Sequence, residues 1–134
     1  AVIIGVIVPQ FSKTREHQVL KNGVADVLAS LDKARSLTLS SLNSSGYGVY
    51  FQSDKVVIFK GSTYSVGSSD NEEISITFPA AITNVVLGGV SGESGEMYFN
   101  RLYGVPSAIG TITISTGNYS RIITISATGV ASSN

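Results

Sequence analysis

Ala1-Val-Ile-Ile-Gly-Val-Ile-Val-Pro-Gln-Phe11 opens the chain with an almost wholly apolar run, and a charged, helix-patterned segment from Lys13 to about Leu42 follows at once. The reading of this junction decides the fold. An apolar tip at a chain end finds little core to enter. The run is also too short to cross a bilayer alone, since a spanning helix needs about 20 apolar residues at about 1.5 Å each. It reads as the end of a longer hydrophobic helix, or as a helix tip that buries itself among other copies of the chain.

Behind the tip, Leu20, Val24, Val27, Leu28, Leu31, Ala34 and then Thr38 to Leu42 recur at three- and four-residue spacing. That is one face of an amphipathic helix. Lys21, Asp26, Asp32, Lys33 and Arg35 lie on the other face. A helix of some thirty residues makes a rod of about 50 Å, too long to be covered by the residues that follow, so part of it is expected to project. Gly23 weakens the rod by about 1 kcal/mol relative to Ala. Pro9 removes a helical hydrogen bond and predicts a kink or local melting near the start.

Asn43-Ser-Ser-Gly-Tyr-Gly48 ends the helix, with two glycines available for left-handed backbone. Beyond it the period changes to two. Strands are expected at Val49–Gln52, Lys55–Phe59, Thr63–Val66, Ile74–Phe78, Asn84–Leu87, Met97–Arg101, Thr111–Ser115 and Ile122–Ser126. The last two join through Thr116-Gly-Asn-Tyr119, a turn-rich hairpin connection, and the Gly-rich stretch from Gly88 to Gly95 reads as a flexible loop. Strands in series after a single helix predict an α+β fold with antiparallel sheet. The organisation is a helical stem over 1–42 (apolar tip 1–11, amphipathic part 12–42) and a β-rich head over 43–134. The Leu20, Val24, Val27, Leu28 and Leu31 stripe is the expected stem-to-sheet contact.

The 134 residues support one domain with a modest core. With 43% hydrophobic and only 13% charged residues at zero net charge, the composition fits a subunit that buries surface in an assembly. No basic excess points to nucleic acid. Residues 1–60 carry seven Lys/Arg against four Asp/Glu, whereas 61–134 carry two against five. A basic stem and an acidic head could attract one another head to tail between subunits; a solvated surface of chance asymmetry is the competing reading. No cysteine is present, which excludes disulfides, thiolate metal sites and thiol nucleophiles. No secretory signal pattern is visible.

No constellation for catalysis emerges. His17, the single histidine, lies beside Arg15 and Glu16 on the polar side of the stem and reads as solvated. A Ser-His-Asp triad has no support, and Glu93 and Glu96 form no defined carboxylate pair. Gly88, Gly89, Gly92 and Gly95 have no following lysine or helix start and so make no phosphate cradle. Asp70-Asn-Glu-Glu73 gathers oxygen ligands without EF-hand spacing; a solvated acidic turn is the simpler reading, with Ca²⁺ as the alternative. Asn43-Ser-Ser and Asn118-Tyr-Ser match a glycosylation pattern that is frequent by chance in a Ser-rich chain. The chain is therefore expected not to be an enzyme and to need no cofactor.

Two stretches carry a resemblance to the type IV pilin and type II secretion pseudopilin superfamily. Ile3-Ile-Gly-Val-Ile-Val-Pro-Gln-Phe11 with the amphipathic helix behind it looks like the latter half of the pilin stem. Met97-Tyr-Phe-Asn-Arg-Leu-Tyr-Gly104, Pro106, Gly110-Thr-Ile-Thr-Ile114, Arg121-Ile-Ile-Thr-Ile125 and Thr128-Gly129 are similar in order to the H-type minor pseudopilins and their FimT- and FimU-like minor pilin relatives. Ala34-Arg35-Ser36-Leu37 with Ser40-Ser41 stands where that branch has its AR-S-A helix end. The family's leading phenylalanine and nearby glutamate have no counterpart, the first acid being Glu16. Either an upstream segment of about a dozen residues is missing or separately processed, which is the favoured reading, or this is an unusually short-stemmed member.

The resemblance implies a structural filament subunit, a homo-oligomer assembling with related pilins. Val2, Ile3, Ile4, Val6, Ile7, Val8, Pro9 and Phe11 would form the filament core. It also implies an extracellular filament or periplasmic pseudopilus, anchored in the inner membrane before assembly. The alternative is a minor pilin at a filament tip that binds DNA, a surface or a secreted substrate. Some FimT-like relatives bind DNA through basic C-terminal residues; here the stretch from Ala127 to Asn134 has no positive charge, and only Arg101 and Arg121 lie nearby. Tyr103 and Tyr119 are expected to pack on the sheet rather than stack on bases. Some relatives bind calcium in loops of the β domain, which is the implied use of the Asp70–Glu73 turn.

Overall fold

The structure, a computed structural model, describes residues 2–40, 46–101 and 103–133, with side chains from Glu16 onward. It is α+β: one N-terminal helix followed by nine strands in two antiparallel sheets. Helix α1 runs from Val2 to Ser40. The strands are β1 (Tyr47–Phe51), β2 (Lys55–Lys60), β3 (Glu72–Ser75), β4 (Ala81–Leu87), β5 (Val90–Gly92), β6 (Gly95–Tyr98), β7 (Gly110–Ser115), β8 (Ser120–Ile125) and β9 (Ala131–Ser133). One sheet has the order β3-β2-β1-β6 and the other β5-β4-β7-β8-β9.

The helix packs on both sheets. Its buried positions Leu20, Val24, Val27, Leu31, Ala34 and Thr38 follow the four-three rhythm of one helical face. Leu28 lies half-buried against the same core. Val49, Phe51, Val56, Ile58 and Met97 come to that core from the four-stranded sheet, and Ile82, Val85, Ile112, Ile114, Ile123 and Ile125 from the five-stranded one. The second half of the stem is thus part of the head's core. Of the kink or local melting expected at Pro9, melting is not seen: α1 continues through it as helix.

Several sequence expectations are corrected. Gly46 and Gly48 are not left-handed; Gly48 sits inside β1 and is needed for space. A methyl placed there would lie 2.5 Å from the Phe59 ring and collide with the Met97 carbonyl. Thr63–Val66 is not a strand, because Tyr64 leaves the ladder to stack on Tyr50, with ring centroids 4.3 Å apart. Its backbone N–H donates to Glu96 instead, at 2.8 Å.

The supposed flexible loop from Gly88 to Gly95 holds β5, joined to β4 by Gly88-Gly89. Both glycines have positive φ, 62° and 83°, as a type I′ hairpin turn requires. Strand β4 begins three residues before its expected start at Asn84. A register shift between Ile82 and Asn84 places Ile82 and Val85 both inside at a spacing of three. That bulge breaks the alternation by which a strand is read from sequence. Strand β9, lacking apolar alternation altogether, was not foreseen.

Candidate functional site

The apolar tip residues Val2, Ile3, Ile4, Val6, Ile7, Val8, Pro9 and Phe11 all lie within the α1 backbone, while their side chains fall outside those described. The described ties between helix and head begin at Glu16. Asn118, in the β7–β8 turn, donates its side-chain N–H to a Glu16 carboxylate oxygen at 2.8 Å. His17 lies against the Tyr119 ring, centroids 4.0 Å apart and tilted by 38°. The lone histidine is exposed, as a solvated residue is, but it belongs to a neck contact. Tyr119 is half-buried against the core, as expected, whereas Tyr103 is 73% exposed and does not pack on the sheet.

Further along α1, Lys33 pairs with Glu72 of β3 at 2.6 Å. Glu73, on the opposite face of that strand, pairs with Lys55 of β2 at 3.2 Å. Hydrogen bonding and attraction from Glu73 hold the Lys55 ammonium above the ordinary lysine value. Glu72 and Glu73 of the acidic segment thus go to two different lysines, and Asn71 donates to the Ser65 carbonyl at 2.7 Å. Among the described residues no three His, Cys, Asp or Glu side chains come together as a metal-binding group. Part of the stem-to-head charge attraction expected between subunits is therefore made within one chain.

At the far end of the helix the Thr38 hydroxyl, fully buried, donates to the Ala34 carbonyl at 2.8 Å and accepts the Tyr47 backbone N–H at 2.9 Å. It satisfies the first donor of β1 and fixes where the sheet starts. Arg35 lies under Gly129, whose positive φ and missing side chain allow the approach; a methyl there would sit 2.9 Å from Arg35 Nε. That Nε is buried and has no hydrogen-bond partner. A cavity of about 80 Å³ opens beside it, lined by Leu28, Asp32, Arg35, Gly129, Val130 and Ala131. A second hollow, of about 200 Å³, lies between the β4–β5 hairpin and β6, lined by Val85, Leu87 and Glu96 among others. Arg101 follows β6 and Arg121 lies on β8; both are exposed, and they sit on separate sheets.

A polar residue inside an apolar helical stripe was the one sequence signal that could have singled out Thr38. The Glu16–Asn118 neck, 102 residues apart in the chain, carries no local signal at all. No helix among the described residues is long and apolar enough to cross a membrane. No family model, curated protein or solved structure matches the chain.

Proposed function

We propose that this chain is a structural filament subunit of the pilin or pseudopilin kind, polymerising through the apolar half of its helix. One observation carries the reading. Helix α1 is continuous over 39 residues, and the first of its residues described as buried is Val19. Val2 therefore stands about 26 Å further along the rod, at about 1.5 Å per residue. A continuous helix cannot fold its own tip back onto the core that holds its other half. Val2, Ile3, Ile4, Val6, Ile7, Val8 and Phe11 then find burial among the stems of other copies. At about 1.5–3 kcal/mol each, the gross gain is on the order of ten kcal/mol before the cost of association.

A repeated heterologous contact of this kind generates a helical filament. In this reading the protein works as an extracellular filament or periplasmic pseudopilus, held at the inner membrane before assembly. Electron microscopy of purified filaments tests it. The shaft should consist of this chain, and Val6→Glu should abolish assembly while leaving the head's unfolding curve unchanged. Normal filaments from Val6→Glu would sink the proposal. Finding the chain only at filament ends would favour a tip module instead.

A further inference from the structure

The two sheets treat their edges differently. In the four-stranded sheet, edge strand β3 carries Glu72 and Glu73, each ion-paired. Edge strand β6 is closed by the segment after it: Ser107 N–H donates to the Tyr98 carbonyl at 2.7 Å, and Phe99 bridges to Pro106. Edges protected by charge or cover resist pairing with another chain. The five-stranded sheet lacks both devices. Edge strand β5, Val90-Ser-Gly92, is exposed at every residue, and β9, Ala131-Ser-Ser133, is also without charge. Among the described residues neither pairs with a further strand.

Each bare edge also presents one half of a charge pair. Beside β9 stands Arg35, whose buried Nε has no partner and which, among the described residues, forms no ion pair even with Asp32 in the same cavity. A buried donor left unpaired asks for an explanation. At the end of β5, in the link to β6, stands Glu93, exposed and without a described partner. The two edges are separated by four strand spacings, about 19 Å, so the two groups cannot meet within one chain. They lie beside opposite edges of the same sheet.

We propose that these edges meet between copies, Glu93 of one chain entering the cavity beside Arg35 of the next. The guanidinium offers five N–H donors, enough for an incoming carboxylate as well as Asp32. The contact joins two different surfaces, so it propagates. Its geometry also sets a shift. Leu87 pairs with Val90, and the same row of the sheet runs through Gly110 and Ile125 to Ala131. Glu93 is three residues beyond Val90, about 10 Å along the strand direction. Arg35 lies at Gly129, on the other side of that row, so bringing the two level displaces one copy axially by more than that distance. A sideways step with an axial shift builds a helix rather than a closed ring. The inference rests on the filament reading and names the contact between heads within it.

The chain has no cysteine, which makes crosslinking a clean test. Full-length Ser94→Cys/Val130→Cys protein, oxidised after assembly, should give a ladder of dimers, trimers and longer species. An intrachain disulfide is excluded because bridged Cα atoms lie about 4.4–6.8 Å apart. Each single-cysteine chain alone should give no specific crosslink, and an equimolar mixture of the two should stop at dimers. Efficient dimers of one single-cysteine chain would show a self-complementary contact and overturn the proposal. Glu93→Lys, on an exposed loop that cannot compromise folding, should lower the ladder's yield about tenfold. Arg35→Glu should do the same, and the double exchange should restore it; an undiminished ladder from Glu93→Lys refutes the pairing. Filaments without a ladder sink this contact and spare the stem-driven reading. A ladder without filaments does the reverse, and the absence of both sinks both.

Discussion

The two halves of α1 are made of similar residues, and in the proposed filament they do different work. From Val19 to Thr38 the larger apolar side chains, Val19, Leu20, Val24, Val27, Leu28, Leu31 and Leu37, fall on one face and join the core with the sheets, while Ala25 and Ala29 are exposed on the other. From Val2 to Phe11 nearly every position is apolar, whichever way it points. A stripe suits a helix with one neighbour, and an apolar cylinder suits a helix surrounded on all sides. Under the filament proposal the contrast teaches that hydrophobicity alone does not assign a segment to this protein's own core. Periodicity does, and the Glu16–Asn118 and His17–Tyr119 neck marks the boundary.

The comparison breaks most clearly by truncating one side chain from each half. Leu31→Ala, at a fully buried site, should lower unfolding free energy by about 2–5 kcal/mol. Ile7→Ala should leave the head's stability within about 0.5 kcal/mol and weaken assembly instead. Denaturant unfolding and sedimentation of the two variants read both effects; a stability loss of Leu31 size from Ile7→Ala would show the tip buried in its own head. Next in size comes Thr38→Val, which keeps the shape but removes the acceptor of the Tyr47 N–H. It should cost about 1–3 kcal/mol, and hydrogen exchange at Tyr47 should accelerate with it.

The smallest effect sharpens the boundary from the stabilising side. Gly23 is buried, and a methyl there would touch Ile76, Ile114 and Ala80 at 3.6–3.8 Å, ordinary contact distances. Gly23→Ala should therefore raise stability by up to about 1 kcal/mol, read as a higher midpoint of thermal unfolding. A drop would mean that the helix sits closer to the sheets than its backbone shows.

How much could be read in advance follows the range of each interaction. The helical stripe and strands β7 and β8 were legible because burial of one face repeats locally along the chain, and β2 because its Val-Val-Ile-Phe run is buried on both faces. Strand β4 was cut short in the reading because its bulge puts Ile82 and Val85 on one side at a spacing of three. Strand β5 was hidden behind Gly88-Gly89, whose positive φ values make a hairpin turn of what reads as a loop. In the sequence Arg35 reads as a charge on the polar face and as part of the Ala34–Leu37 stretch of the resemblance, not as a buried group. Its burial depends on Gly129, whose bare backbone closes over it from the other end of the chain.

The sequence by itself determined the helix, the change of period from 3.6 to two beyond it, and the antiparallel α+β class. Those features follow from side-chain direction along a single element, which each residue's neighbours already encode. Tertiary structure alone decided that the strands divide into two sheets, that Glu16 is tied to Asn118, and that the five-stranded sheet keeps two bare edges with opposite charges beside them. Those outcomes depend on which distant segments pair, and a pairing between segments far apart leaves no periodic trace in either one.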